Sequence, residues 1–136
     1  MNNAKGGPQG QDSEMTTKRV IFDTDIGIDD AMALLFLHYA PDAHLEAICT
    51  VAGNASLADV TRNALHVCER FRIEVPVYSG AAAPMAGALS KAHPDFVHGS
   101  NGLGNLQFAD PVRGVAGDDA AGAIVDLARR HPREIS

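Results

Sequence analysis

The stretch Arg19-Val20-Ile21-Phe22-Asp23-Thr24-Asp25-Ile26-Gly27-Ile28-Asp29-Asp30-Ala31-Met32-Ala33-Leu34-Leu35-Phe36-Leu37 decides the fold. Its first part is short, apolar and partly β-branched, as a buried strand requires. Its last part is rich in good helix formers, and Pro41 stops it. Between them Gly27 allows a tight turn. Asp29 and Asp30 fall in the first helical turn, where carboxylates favour the positive end of the helix dipole. A strand running through an acidic turn into a helix is the opening of a βαβ unit.

The rest of the chain repeats the alternation. A second strand reads Leu45-Glu46-Ala47-Ile48-Cys49-Thr50-Val51 and breaks at Gly53-Asn54. Ser56 caps a second helix whose apolar residues Leu57, Val60, Ala64, Val67, Cys68 and Phe71 recur at three- and four-residue steps. A third strand, Val75-Pro76-Val77-Tyr78, is weakened by Pro76, which removes a ladder donor. Residues 80 to 116 form a long irregular stretch rich in Gly, Ala, Pro and His, of a length that is usually functional. A last helix is expected over about 118 to 130, with Ala120, Ala121, Ile124, Val125, Leu127 and Ala128 inward. The fold class read from this order is α/β: a mostly parallel, Rossmann-like open sheet with helices on both faces. Ligands of such sheets bind outside the carboxyl ends of the strands. The residues after the first two strands and the loop after the third are therefore expected to converge on one site.

Composition narrows the function. The chain has 136 residues and 11 Lys+Arg against 17 Asp+Glu, a net charge of −6. That balance argues against nucleic acid as the partner, because phosphate backbones select clustered cations. No apolar run approaches the roughly 18 residues that span a bilayer, so no membrane partner is expected. Cys49 and Cys68 lie in apolar surroundings without CxxC spacing, which reads as buried reduced thiols of a cytoplasmic protein. Residues 1–17 are polar and lack an apolar segment, so a disordered tail is expected, with one folded unit over 18–136.

The main chemical signal is four carboxylates within eight residues, Asp23, Asp25, Asp29 and Asp30. Like charges this close need a cation or helix N–H groups nearby. Oxygen-only ligands at a turn suit a hard cation, Ca²⁺ or Mg²⁺. The bland reading is that Asp29 and Asp30 cap the helix while Asp23 and Asp25 are solvated. An EF-hand loop would need Glu at its twelfth position, where counting from Asp23 gives Leu34 inside a helix. Haloacid-dehalogenase phosphatases also place Asp-x-Asp after a strand, but Gly27 stands where their pattern has Thr or Val.

Asp23-Thr24-Asp25-Ile26-Gly27-Ile28-Asp29-Asp30-Ala31 resembles the N-terminal motif of the inosine-uridine-preferring nucleoside hydrolases, with Ile26 where Pro is usual. The resemblance continues through Thr50-Val51-Ala52-Gly53-Asn54, Thr61-Arg62-Asn63-Ala64, Val77-Tyr78-Ser79-Gly80-Ala81 and His98-Gly99-Ser100-Asn101-Gly102-Leu103-Gly104. It implies hydrolysis of the N-glycosidic bond of ribonucleosides such as uridine or inosine by a Ca²⁺-activated water. By resemblance Asp25 and Asp30 ligate Ca²⁺, Asp25 is also the catalytic base, and Asp29 binds the ribose hydroxyls. Asn54 contacts ribose or the water, His98 lines the base pocket, and Asp23 orients the ligand turn. The chain has no Trp, whereas purine-specific members sandwich the base between tryptophans; this favours less selective or pyrimidine-preferring members. Family chains are more than twice this length and are commonly homodimers or homotetramers. Their remaining metal ligands come later in the chain. The expectation is thus a truncated, N-terminal portion, with Arg133-Glu134-Ile135-Ser136 entering a further strand, an unpaired sheet edge, weak Ca²⁺ binding and little turnover on its own. The competing classes are a non-catalytic nucleoside- or Ca²⁺-binding module and a dehalogenase-type phosphatase.

Overall fold

The computed structural model describes residues 17–87 and 95–136. The expected tail lies, but for Thr17, outside the described residues, as does part of the expected irregular stretch, residues 88–94. Strand β1 spans Lys18–Thr24, helix α1 Ile28–Tyr39, β2 Ala43–Thr50, α2 Leu57–Phe71 and β3 Val77–Ser79. A four-residue helix α3, Asp95–His98, and helix α4, Ala120–Arg130, follow. The sheet is parallel in the order β1-β2-β3, as the alternation of elements requires.

Helices cover both faces, and two neighbouring residues of β2 show it. Thr50 Oγ1 lies 2.8 Å from Thr61 Oγ1 of α2. Cys49 Sγ, one residue earlier, reaches the Ala120 carbonyl oxygen of α4 at 3.9 Å. Consecutive strand side chains point to opposite faces, so α2 and α4 lie on opposite sides. The core packs Ile48 and Val77 of the sheet with Leu34 of α1, Val60, Ala64 and Cys68 of α2, and Ile26 and Leu103 from the connecting segments. Each of the Leu, Ile and Val side chains among them contributes roughly 1.5–3 kcal/mol on burial. Ser56 caps α2, accepting from Asp59 N at 3.1 Å, as the sequence predicts.

Three expectations are corrected. β3 begins at Val77, not Val75, because Pro76 has no N–H; its carbonyl still accepts from Ile48 N at 2.9 Å. His98 is not in an irregular loop but ends α3. On α4 only one side of the expected apolar set is turned inward. Ala120 and Leu127 are buried and Ile124 half-buried, while Ala121, Val125 and Ala128, one step round the helix, are exposed. No further layer covers that flank among the described residues.

After α4 the chain returns to the far side of β1. Arg19 and Ile135 form a parallel bridge, with Ser136 N donating to the Arg19 carbonyl at 2.9 Å and Ile21 N to the Ser136 carbonyl at 3.1 Å. The sheet therefore grows first from β1 toward β3 and then, after α4, on the other side of β1. That reversal is a topological switch point, and in open α/β sheets the crevice there is where ligands bind. The outer edge of β3 is bonded in turn by residues 116–117, through Ala116 N to the Val77 carbonyl and Ser79 N to the Gly117 carbonyl. Among the described residues, no helix is long and apolar enough to cross a membrane.

Candidate functional site

The switch point falls at the carboxyl end of β1, where the acidic stretch begins. Alternation divides its carboxylates. Asp23 and its neighbour in register, Cys49, face α4, whereas Thr24 is buried toward α1. Thr24 Oγ1 donates to Asp30 Oδ2 at 2.9 Å, and Gly27 N donates to the same oxygen at 3.4 Å. Asp30 thus closes the turn from the third helical position, as an acid in a capping box does. For this residue, helix capping and site geometry are the same arrangement.

Asp25 is half-buried and accepts from Asn54 N at 2.9 Å through Oδ2. Its carboxylate lies against Gly53, where a Cβ would come within 2.8 Å of the Asp25 Cβ and Cγ and closer still to Oδ2. Gly53 is therefore glycine for reasons of space, since real Cβ contacts essentially never fall under 3.0 Å. Gly27 has the same function on the other side of the turn. A Cβ there would lie 2.7 Å from His98 Nδ1 and 2.9 Å from Asn54 Nδ2. His98 Nδ1 accepts from Ile28 N at 3.4 Å and lies 3.8 Å from Asp29 Oδ1. The His98 side chain is only 13% exposed, against 79% for Asp29. Asp29 is thus the open carboxylate of the group, directed to solvent.

Asp30, Asn54 and His98 meet at Gly27, while Asp25 joins them through the Asn54 N–H and Asp29 through His98. Asp23 is not with them. It lines a separate cavity of about 350 Å³ with Thr50, Gly80, Asp118 and Asp119 on the α4 side. Sequence reading gave no part to Thr24, Gly27 beyond its turn, or Gly53. Two glycines flanking acid and amide residues at consecutive strand ends were the available signal.

The donors match a hard cation in kind. Asp25 and Asp30 offer carboxylate oxygens across one turn, each held through its Oδ2. In number they fall short of the roughly six to eight oxygens that Ca²⁺ takes. No group of three or more His, Cys, Asp and Glu that could hold a metal ion occurs among the described residues. Away from the turn, burial pushes the Cys49 thiol up to about 11, with the Asp23 charge adding to it. Burial also pushes Cys68 up to about 11, where Arg113 lowers and Glu69 raises it by smaller amounts. Both cysteines are free and buried, as expected.

Comparison with known proteins identifies the family. The family model described as inosine-uridine preferring nucleoside hydrolase matches residues 20–136. A probable uridine nucleosidase 2 of Oryza sativa subsp. japonica is 44% identical over 124 residues, covering 89% of this chain and 36% of that protein. Uridine nucleosidase 1 of Arabidopsis thaliana is 37% identical over 137 residues, covering 100% and 40%. Among solved structures, a plant nucleoside hydrolase superposes with a TM-score of 0.80 at 38% identity, covering 87% of this chain and 37% of that one. A purine-preferring ribonucleoside hydrolase from Gardnerella vaginalis gives a TM-score of 0.80 at 28% identity. The chain thus spans about two-fifths or less of the length of the relatives it matches.

Proposed function

Because the chain belongs to the inosine-uridine preferring nucleoside hydrolase family, we propose that it supplies the ribose- and cation-facing half of a ribonucleoside N-glycosidase site. The observation that carries this reading is the meeting of Asp30, Asn54 and His98 at Gly27, with Asp25 bonded to the Asn54 N–H and Asp29 beside His98. Uridine is the proposed substrate. Two of the relatives compared above are named uridine nucleosidases, and the chain lacks the Trp that would stack a purine.

The reaction needs a water to attack the ribosyl carbon while the bond to the base breaks and its electrons leave with the base. Asp25 accepts the proton of that water, its carboxylate held by the Asn54 N–H. Asp29 accepts the O–H groups of the ribose diol, a preference a deoxyribose could not satisfy fully. Asn54 and His98 close the site over Gly27, the amide toward ribose and the imidazole toward the base. Asp25 and Asp30 would be two of the ligands of Ca²⁺, which when bound supplies Lewis-acid activation and positioning of the water. The remaining ligands belong to parts of the family fold that these residues do not include.

The phosphatase reading is not favoured, since Asp23, the nucleophile it needs, faces the other side of the sheet. The binding-module reading is not favoured either, as the relatives carry the names of hydrolases. Free buried thiols support a reducing, cytoplasmic setting. Homo-oligomerisation, as dimer or tetramer, is supported by the exposed line Ile28, Met32, Phe36 and Tyr39 along α1.

The test is a titration of the chain with uridine and Ca²⁺ followed by amide NMR. Shifts are expected to centre on Gly27, Ile28 and Asn54 and to vanish in Asp25→Ala. Shifts centred on the Asp23 cavity would sink the assignment. Where uridine turnover is measurable, Asp25→Ala is expected to lower kcat by roughly 10²- to 10⁴-fold.

A further inference from the structure

Two sequence blocks have no part in the site so far: Thr61-Arg62-Asn63-Ala64 in α2 and Asn101-Gly102-Leu103-Gly104 after α3. They meet at one atom pair. Asn63 is 3% exposed, among the buried residues Val60, Ala64, Leu65, Val67 and Cys68 of the same helix. An amide in such company is costly unless it is hydrogen-bonded. Asn63 Nδ2 donates to the Asn101 carbonyl at 2.6 Å. Gly102 lies directly on it with φ +82°, where a Cβ would stand 3.1 Å from Asn63 Nδ2 and 3.5 Å from the Ile26 carbonyl oxygen. Leu103, the next residue, enters the core beside Ile26.

From this anchor the turn is laced back to His98. Gly104 N donates to the His98 carbonyl at 2.7 Å and Gly102 N to the Gly99 carbonyl at 3.2 Å. Asn101 Oδ1 accepts from Leu103 N at 3.0 Å and Asn105 N at 2.9 Å, and Asn105 Oδ1 from Ser100 N at 2.8 Å. Helix α3 cannot hold His98 by itself. A single turn is unstable alone, and its Phe96 and Val97 are 92% and 52% exposed. The ring of His98 rests on Gly27 and the Ile28 N–H, and its backbone is held by the turn that follows it, through Gly104 N.

We propose that Asn63 is a positioning residue. Its amide clamps the 99–105 turn to α2 and thereby sets the His98 ring against Gly27 and the Ile28 N–H. The inference deepens the nucleoside reading and rests on it for its consequence: a helix residue remote from substrate preorganises the base-facing side of the site.

The experiment reads the position of His98 directly. In the wild-type chain a nuclear Overhauser contact between the His98 ring and the Gly27 α-protons is expected from their packing. Asn63→Leu keeps the volume and removes the donor. The expected result is loss of that contact while the core contacts of Ile48, Val60 and Ala64 persist. A folded Asn63→Leu that retains the His98–Gly27 contact overturns the proposal. Should Asn63→Leu not fold, Gly102→Ala gives the same reading. Its methyl meets the Asn63 amide and its positive φ is strained, so the turn should lift and the contact vanish; retention again overturns the proposal. Uridine added to each sample separates the two ideas. A wild-type chain that ignores uridine counts against the nucleoside reading, while the His98–Gly27 contact still decides the role of Asn63.

Discussion

Carboxylates lie on both faces of the sheet around the carboxyl end of β1, and the two groups are held in different ways. On the α1 side, Asp25 and Asp30 each accept backbone or hydroxyl hydrogen bonds at the turn, and glycines press against Asp25 and His98. On the α4 side, Asp23 and Asp118 are exposed around a cavity, and Asp119 caps α4 by accepting from Gly122 N at 2.9 Å. Residue type and local density are alike on the two faces. What differs is preorganisation: the first group has its orientations fixed before any ligand arrives, which is what a site needs from its residues.

The largest expected effect comes from Gly53→Ala. Its methyl would overlap the Asp25 carboxylate, so Asp25 or the Gly53-Asn54 backbone must move. Overpacking of this kind costs about 1–3 kcal/mol, and the uridine- and Ca²⁺-dependent shifts at the turn should be abolished. Gly114→Ala is the control, because nothing lies within 4 Å of its new methyl. Thermal melts and the same NMR titration of both variants check this. Equal behaviour of the two would mean that the Asp25 placement is not what the turn depends on.

Next comes a pair of cap removals. Asp30→Ala and Asp119→Ala each delete a side-chain acceptor at a helix start, worth about 0.5–2 kcal/mol. The two should melt at similar temperatures, yet only Asp30→Ala should lose Ca²⁺ response. If Asp119→Ala loses it as well, the contrast between the faces fails. Smaller again is Asp23→Asn, for which uridine and Ca²⁺ titrations at the turn are expected to match wild type. A weakened response there would bring Asp23 back into the site as an orienting residue.

How far the sequence foretold this depends on the range of each interaction. The β1–α1 turn, the Ser56 cap and the stripe of α2 were legible because their causes lie within a few residues: β-branching, a tight glycine, and acids or hydroxyls at helix starts. The return of Ile135 to β1 was legible as an incipient strand, though not which edge it would join. The division between Asp23 and Asp25 was not legible. Strand period would put them on one face, and only the end of β1 at Thr24 releases Asp25 toward Asn54. Gly53 and Asn63 were equally hidden, since each is explained by a partner about 30 to 40 residues away, Asp25 in one case and Asn101 in the other.

The smallest effect tests the α4 face from inside. Burial is the main cause that raises Cys49 to about 11, and the Asp23 charge is the second. Thiols whose folded pKa exceeds the ordinary value near 9 bind more protons folded than unfolded in that interval. Their contribution to stability is therefore complete below about 9 and is lost as pH rises through about 11. Asp23→Asn removes the carboxylate but leaves the burial. Cys49 should then titrate somewhat lower, still above its ordinary value, so the alkaline loss of stability should start at the same pH but end slightly earlier and be smaller. Cys68, whose charged neighbours are Arg113 and Glu69, should not move. Thiolate absorbance of single-cysteine variants resolves the two. A shift at Cys68 equal to that at Cys49 would mean that Asp23 acts through the fold as a whole rather than across the register pair that joins it to Cys49 on the α4 side.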